Sequence, residues 1–591
     1  MGDFDLVIRN GLVFDGRGGD GVRADVAVTD GLIQAVGIVE GRGTEEIDAT
    51  AAIVTPGFVD IHTHYDGQVT WGERLSPSSS HGVTTIVMGN CGVGFAPCRP
   101  GDRDNLICLM EGVEDIPGVV MATGIPWHWE TFPEFMDFLA GRRFDVDVGA
   151  QLPHAPLRVY AMGQRGLDRE PATAADMALM KDLASEAVRA GALGVATSRS
   201  LNHRSADHQL MPGVSAAESE LVALGEGVRE GGRGVLQAIS DFDEPEADFN
   251  LLRRIVDRTG VPMSFSLMQV PNAPDRWKRV LEMLGAANVE GSALKAQVCT
   301  RPIGALLGLE LNFNVFSYSA SYVEIAHLPL PERIAAMGVP DRRARIIAEW
   351  PTPSPEVMAG PLGNLAYIFL MGAEPDYEPA LTDSVAAQAN AMGIAPADHA
   401  YDLLLADGGK NIFYIPAANY VGGTGAATEE MINHPDTVFG LGDGGAHVGL
   451  VCDASQPTYA LKRWVGDGGG GTMSLGRVIK ALTSTTAHVV NLDDRGVVAP
   501  GYRADLNVID MDRLKLLRPY MVYDLPNGAG RLDQRAEGYI ATIVGGKVTY
   551  RNGEPTGDLP GRLVRGAQEA PSGHSPGPSE RPLERSLQTM G

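Results

Sequence analysis

Four short apolar segments in the middle of the chain decide the fold: LGVATS at residues 193–198, GVLQAIS at 234–240, PMSFSLMQ at 262–269 and ALKAQV at 293–298. Each has the length of a buried strand, and helix-like segments with apolar residues at three- and four-residue spacing separate them. Strands that alternate with amphipathic helices favour a parallel sheet in an α/β fold. A repeated unit of this kind closes most simply into a (β/α)8 barrel of the TIM type.

The two ends of the chain differ from this middle and read as short strands. Near the start, the dipeptides Asn10-Gly11 and Asp30-Gly31 each separate two apolar runs, which predicts two hairpins. Near the other end, ADLNVI at residues 504–509 is followed by two strand-like runs on either side of Gly545-Gly546. Two all-β pieces therefore bracket the barrel.

Two segments break the alternation of strands and helices. Residues 303–410 are Pro-rich, aromatic and irregular, and they are too long for an ordinary loop, which predicts an inserted subdomain. Because this insert precedes the last barrel strand, we expect it to lie over the carboxyl end of the barrel as a lid or substrate wall. Residues 561–591 are polar and rich in Pro, Ser and Gly, which predicts a disordered tail.

The composition excludes several classes of protein. The 591 residues include 48 Lys and Arg against 74 Asp and Glu, giving a net charge of −26. Such a surface repels phosphate backbones and anionic lipid, so we expect neither a nucleic-acid nor a membrane partner. The five cysteines are odd in number and irregularly spaced, which favours reduced thiols. With no apolar leader and no membrane-length apolar run, the sequence predicts a cytoplasmic protein.

The strongest chemical motif is PGFVDIHTHYD at residues 56–66, an apolar strand that ends in His62 and His64. Side chains alternate along a strand, so these two histidines face the same way and can share one metal ion. The alternative is a pair of unrelated histidines near a strand end. Catalytic groups gather at the carboxyl ends of barrel strands, and this position favours the metal site.

Two further candidates follow other predicted strands. Cys91 lies in MGNCG at residues 88–92, and beside the two histidines its thiolate would be a soft ligand for zinc; alone, it would be a small buried thiol. Asp443 lies in LGDGGAH at residues 441–447, where it is either part of an ordinary Asp-Gly turn or a carboxylate that accepts a proton from metal-activated water.

Four stretches together resemble the amidohydrolase superfamily and, within it, the D-aminoacylase branch of N-acyl-D-amino-acid deacylases. They are PGFVDIHTHYD, SPSSSHGVTTIVMGNCGVGFAP at residues 76–97, LGDGGAH, and RGVVAPGYRADLNVID at residues 495–510. The resemblance covers residues 4–555. It implies a small β-sandwich assembled from residues 1–55 and 495–555 beside a metal-dependent barrel at 56–494, which would explain the strands at both ends.

The resemblance also implies a reaction and its residues. His62 and His64 match the family's metal ligands on the first strand, Cys91 matches a zinc-binding cysteine, and Asp443 matches the aspartate that activates water. The implied activity is hydrolysis of a non-peptide C–N bond in an N-acyl-(D-)amino acid, with zinc as the divalent metal and Asp443 as general base and acid. The partner would be a small-molecule substrate, and because barrel hydrolases commonly associate, a homo-oligomer is one expectation.

The sequence departs from the family at predicted strands five and six, where histidine ligands are expected but none occurs. His203, just beyond strand four, is a candidate fourth ligand, and the alternative is a loop histidine without a catalytic role. Two other functions stay open. Because loops form the pocket walls and vary freely, one is hydrolysis of a cyclic amide or carbamoyl compound. The other, which the missing histidines motivate, is a barrel without catalysis that serves in binding.

Four residues near predicted strand ends are candidates for substrate binding. Arg199, Arg204 and Arg301 could each bind a substrate carboxylate in bidentate fashion, since guanidinium groups suit that geometry. His154 follows strand three and falls in the same group. The alternative for the arginines is structural pairing with the chain's many acidic residues.

Overall fold

Eight parallel segments form the centre of the molecule in a computed structural model that describes residues 2–350, 363–466 and 471–572. We number them barrel strands one to eight in chain order: Phe58–Asp60, Val83–Met88, Asp147–Ala150 continued by Leu152–Pro153, Gly194–Ser198, Val235–Ile239, Met263–Ser266, Leu294–Val298 and Thr437–Phe439. Each pairs in parallel with the next along the chain. The predicted α/β fold is thus confirmed.

The first and last of these strands meet just beyond their carboxyl ends. Thr63, after strand one, forms a parallel bridge with Gly444, after strand eight. The His64 amide donates to the Gly444 carbonyl at 2.8 Å, and the Asp443 amide donates to the His62 carbonyl at 3.1 Å. The strands therefore follow one another around in the order expected of a (β/α)8 barrel.

Helices lie between the strands, and the local sequence explains where they begin and end. Pro245–Thr259 starts with proline in its first turn, buries Phe249, Leu252 and Val256 on one face, and ends at Gly260, whose φ of 68° favours glycine. The other helices around the strands are Gln68–Trp71, Arg103–Glu114, Gly118–Gly124, Phe132–Ala140, His154–Met162, Gln164–Leu167, Ala174–Arg189, Glu218–Gly231, Arg276–Val289, Ala426–Asn433, Gln456–Arg463, Leu475–Leu482 and Ser484–Val489.

The two chain ends join in one nine-stranded sheet. Its strands are Phe4–Val13, Val22–Thr29, Leu32–Gly37, Gly43–Asp48, Ile53–Pro56, Leu506–Ile509, Tyr539–Val544, Lys547–Arg551 and Glu554–Pro555. Ile53–Pro56 pairs with Leu506–Ile509, which links the ends directly. Two antiparallel strand pairs lie outside this sheet: the hairpin Tyr520–Leu525 with Ala529–Asp533, and Lys515–Leu516 with Ala536–Glu537, which flank that hairpin in the chain.

The two predicted terminal hairpins have different outcomes. Asp30-Gly31 does connect two antiparallel strands, as predicted. The hairpin predicted at Asn10-Gly11 is wrong, because Phe4–Val13 is one strand in which the pairing register shifts between Ile8 and Gly11. Asn10 adopts a φ of 61° there, so the dipeptide forms a bulge, which needs the same left-handed backbone as a tight turn.

The inserted subdomain has its own sheet and its own apolar core. Ile303–Leu307 pairs with Phe413–Ala418, and Phe369–Leu370 extends the sheet. Its helices are Ala320–Val323, Leu330–Met337, Pro340–Ala348, Val385–Met392 and Pro396–Leu405. Residues such as Phe316, Tyr401 and Phe413 form the core. The insert follows strand seven and precedes strand eight.

The predicted disordered tail is wrong for residues 561–572. The Gly561 amide donates to Phe144 and the Val564 amide donates to Val148, both at 2.8 Å. Leu563 and Val564 are buried, so this segment packs beside barrel strand three. Its polar composition did not reveal the pairing, because backbone groups form these hydrogen bonds. The rest of the predicted tail, residues 573–591, lies outside the described residues.

A buried group of charges, which we call the Asp147 cluster, joins the barrel to the end sheet. It contains Asp147, Arg495, Arg503 and Asp505. Arg495 Nη1 lies 2.7 Å and Arg503 Nε 2.8 Å from Asp147 Oδ2, and both arginines also contact Asp505. Asp147 begins barrel strand three, and Asp505 directly precedes the strand Leu506–Ile509. The cluster therefore links barrel strand three to the nine-stranded end sheet through buried ion pairs.

None of the helices in the described part of the chain combines the length and the apolar character that crossing a bilayer requires.

Candidate metal centre

His62 and His64 lie side by side just past barrel strand one. Thr63 between them donates its amide to the Val87 carbonyl of strand two, which keeps this segment extended. In an extended segment, residues two apart point the same way, and the two imidazole centroids are 5.4 Å apart. Both side chains are buried, so their ring nitrogens are shielded from bulk water.

Cys91 reaches the same place from the end of strand two. Its backbone φ is 54°, and the flanking Gly89 and Gly92 also have positive φ, so a tight turn directs the thiol inward. Cys91 Sγ lies 3.4 Å from His62 Nε2. Burial raises the pKa of this thiol to about 12 in the absence of a cation. A metal ion would reverse that effect, because a coordinating thiol is deprotonated.

Asp443 approaches the histidines from the end of strand eight. Its Oδ1 lies 3.5 Å from His62 Nε2 and 3.6 Å from His64 Nε2. Burial tends to raise the pKa of this carboxyl group, but the contacts with His64 and His62 outweigh it and hold the pKa well below its usual value. The group is therefore an ionised acceptor at neutral pH.

The spacing of these atoms fits a divalent cation. The donors of His62, His64 and Cys91 lie within 4.8 Å of one another. Zinc bonds of about 2.0–2.3 Å place neighbouring ligands of a tetrahedron roughly 3.3–3.6 Å apart, which matches the contacts of Cys91 and Asp443 with the rings. Two imidazoles, one thiol and one carboxylate also form a donor set that suits zinc. The residues present therefore fit a metal.

The sequence did not indicate that Glu114, the last residue of the helix Arg103–Glu114, contacts the candidate metal centre. Its side chain is 2% exposed, with Oε1 3.2 Å from His64 Nδ1 and Oε2 3.7 Å from His447 Nε2. The His64 contact is a close charge pair and not an aligned hydrogen bond. Burial raises the pKa of Glu114 to about 7. Its neighbours in the chain form no metal motif, so the sequence held no signal for it.

His203 does not belong to the ligand cluster, which among the described residues consists of His62, His64 and Cys91. It is nevertheless half-buried, with Nδ1 3.0 Å from Ser198 Oγ. Burial lowers the pKa of its imidazole to about 4. The prediction that it replaces a missing ligand gains no support from this position.

Among the substrate-binding candidates, Arg301 and His154 are tied into internal networks. Arg301 is 1% exposed, pairs with Asp453 and stacks over Tyr377, with its guanidinium carbon 3.7 Å from the ring centroid. His154 Nδ1 contacts Thr197 Oγ1 at 2.8 Å and its Nε2 contacts Glu220 at 3.0 Å. Because both ring nitrogens contact neighbouring side chains, these contacts indicate a structural role for His154.

The other two candidates are more open. Arg199 is half-buried and donates to the Ala216 carbonyl at 3.0 Å. Arg204 is exposed and donates to the His208 carbonyl at 3.0 Å. Neither guanidinium is paired with a carboxylate of the described residues, so both have donors that could bind a substrate anion.

Metal ligands at the carboxyl ends of barrel strands are typical of metal-dependent hydrolases, because a cation there polarises a carbonyl group that water attacks. The comparisons with known proteins agree. The amidohydrolase family matches residues 45–550, and the chain belongs to that family. The prediction of a metal-dependent hydrolase that acts on C–N bonds is thereby confirmed.

Individual relatives are deacylases. The N-acyl-D-glutamate deacylase of Alcaligenes xylosoxydans xylosoxydans is 26% identical over 95% of this chain and 96% of that protein. The D-aminoacylase of the same organism is 32% identical over 33% of this chain and 37% of its own. The structure of N-acyl-D-glutamate deacylase from Bordetella bronchiseptica, complexed with zinc and a phosphonate inhibitor, has a TM-score of 0.62 at 23% identity, covering 95% and 99% of the two chains. The predicted similarity to the D-aminoacylase branch is confirmed.

Proposed function

We propose that this protein hydrolyses N-acyl-D-amino acids with a divalent metal, zinc, bound by His62, His64, Cys91 and Asp443 at the mouth of a (β/α)8 barrel. The observation that carries the proposal is the convergence of these four side chains, three of them buried, from the ends of strands one, two and eight. The full-length similarity to an N-acyl-D-glutamate deacylase supports the substrate class. The end sheet serves as the scaffold beside the barrel.

The metal would supply a positive charge that polarises the acyl carbonyl and lowers the pKa of water. Asp443 accepts the proton from the attacking water, since its carboxylate is ionised and lies beside both histidines. It then passes that proton to the departing amine, as general acid–base chemistry requires. We further propose that Arg199 and Arg204 bind the substrate carboxylate, which is supported by the absence of an acidic partner for either guanidinium among the described residues.

Removal of the metal is expected to lower turnover of N-acetyl-D-amino acids by on the order of 10²–10³-fold, because the cation contributes several kcal/mol of charge stabilisation. The assay would use enzyme dialysed against a chelator, then reloaded with zinc, with paired D and L substrates at each step. We expect activity to return with about one zinc per chain. Metal-free enzyme that keeps its full rate would contradict the proposal.

Cys91→Ala is expected to weaken zinc binding by at least about 100-fold, since loss of an outer partner of a ligand alone costs about 10–100-fold. The measurement is a competition titration against a chromogenic chelator. Cys98→Ala is the matched control, because Cys98 is an equally buried cysteine whose thiol donates only to the Arg99 carbonyl. Equal zinc affinity in both variants would remove Cys91 from the ligand set.

A further inference from the structure

A glutamine from barrel strand seven contacts the first histidine of the metal centre. His62 Nδ1 lies 2.6 Å from Gln297 Oε1, although 235 positions separate the two residues in the chain. Both side chains are almost fully buried, with His62 0% and Gln297 1% exposed. The contact is therefore shielded from bulk water, and a buried ring nitrogen without a partner would destabilise the fold.

The Gln297 amide also contacts barrel strand six. Gln297 Nε2 donates to Ser264 Oγ at 2.8 Å, and Gln297 Oε1 faces His62. A metal on His62 Nε2 requires this orientation, because Nδ1 then carries the proton and needs an acceptor. A carbonyl oxygen can only accept, so with the amide in this orientation the proton of the neutral imidazole lies on Nδ1.

The position of that proton determines what the other ring nitrogen can do. With Nδ1 protonated, the lone pair of His62 lies on Nε2, the atom that points toward Cys91 Sγ and Asp443 Oδ1. A metal ligand needs this lone pair, and the bond at the far nitrogen commonly fixes both tautomer and ring orientation.

We propose that Gln297 is a positioning residue that holds His62 in its Nδ1-protonated form and aims Nε2 at the metal, with Ser264 holding Gln297 in turn. This inference rests on the proposed function, because it takes His62 as a ligand. Gln297 performs this task on the strand-seven side of His62, while the carboxyl groups of Asp443 and Glu114 contact the histidines from other sides.

The test compares two substitutions in the full-length protein. Gln297→Met keeps a similar volume but removes the acceptor, and we expect zinc affinity to fall about 10–100-fold. Gln297→Glu restores an acceptor oxygen, and we expect it to bind zinc within about threefold of the wild type, since carboxylates also serve as partners of ligand histidines. Zinc affinity is measured by chelator competition, and cobalt-loaded protein reports coordination through its visible spectrum.

Gln534→Met is the matched control. Gln534 is equally buried, and its amide bonds Tyr377 and Leu517, not the metal centre. We expect this variant to lose stability while its zinc affinity and cobalt spectrum stay unchanged. A loss of affinity in Gln297→Met that Gln297→Glu repairs therefore separates positioning from general damage to the fold.

Several results would overturn the proposal. One is wild-type zinc affinity and cobalt spectrum in Gln297→Met, and another is equal weakening in Gln297→Glu. If Gln297→Met does not fold, Ser264→Ala releases the amide while keeping Gln297, and unchanged affinity in that variant would also reject the inference. His62→Ala distinguishes failure of the inference on Gln297 from failure of the proposed function. If His62→Ala also leaves zinc affinity unchanged, His62 is not a ligand and the proposed function itself fails.

Discussion

Asp443→Asn is expected to lower kcat for an N-acyl-D-amino acid by about 10²–10⁴-fold, the range that general acid–base catalysis contributes. The substitution preserves shape and one acceptor oxygen but removes the charge that takes a proton from water. The loss should fall on kcat more than on KM, because the proton transfer occurs in the transition state. Steady-state kinetics and the metal content of the purified variant provide the measurement.

The control for this variant lies at the other end of the same strand. Asp436 directly precedes strand eight and pairs with Lys295 at 2.9 Å, away from the histidines. Asp436→Asn makes the same chemical change, and we expect kcat to remain within about twofold of the wild type, since barrel catalysis resides at the carboxyl ends of the strands. If Asp443→Asn retained metal, fold and a wild-type kcat, the assignment of Asp443 as general base would be rejected.

Arg495→Met is expected to destabilise the protein by about 3–5 kcal/mol, because it removes one of the two cations that pair with the buried carboxylates of Asp147 and Asp505. Arg495 and Asp147 in the Asp147 cluster are only 3% and 1% exposed, so water cannot compensate. We expect the apparent melting temperature to fall by on the order of 5–10 °C. Thermal unfolding monitored by circular dichroism measures this change. At 25 °C the folded fraction should keep its kcat, since the cluster lies at the amino end of strand three.

A surface arginine gives the comparison. Arg279 pairs with Glu246 at 2.8 Å, but both side chains are more than half exposed. Arg279→Met should therefore change stability by only about 0–1 kcal/mol. Equal melting temperatures for Arg495→Met and Arg279→Met would mean that the buried cluster does not stabilise the junction between the barrel and the end sheet.

The local sequence was a good guide wherever one segment contained the whole signal. The pair His62 and His64 could be predicted as ligands because strand alternation alone sets their relative direction. Asp30-Gly31 likewise predicted its hairpin, whereas the same kind of dipeptide at Asn10-Gly11 became a bulge. That outcome depended on pairing with neighbouring strands, which a dipeptide does not encode.

By itself, the sequence determined the α/β class, the strands at both chain ends and which residues are candidate ligands, because periodicity and motif spacing record which side chains share a face. Only the tertiary structure decided which distant groups meet. Glu114, Gln297 and the segment 561–572 reach their partners through the closure of the strand ring and the docking of helices around it. These contacts join residues far apart in the chain, and short-range patterns carry no record of the geometry that brings such residues together.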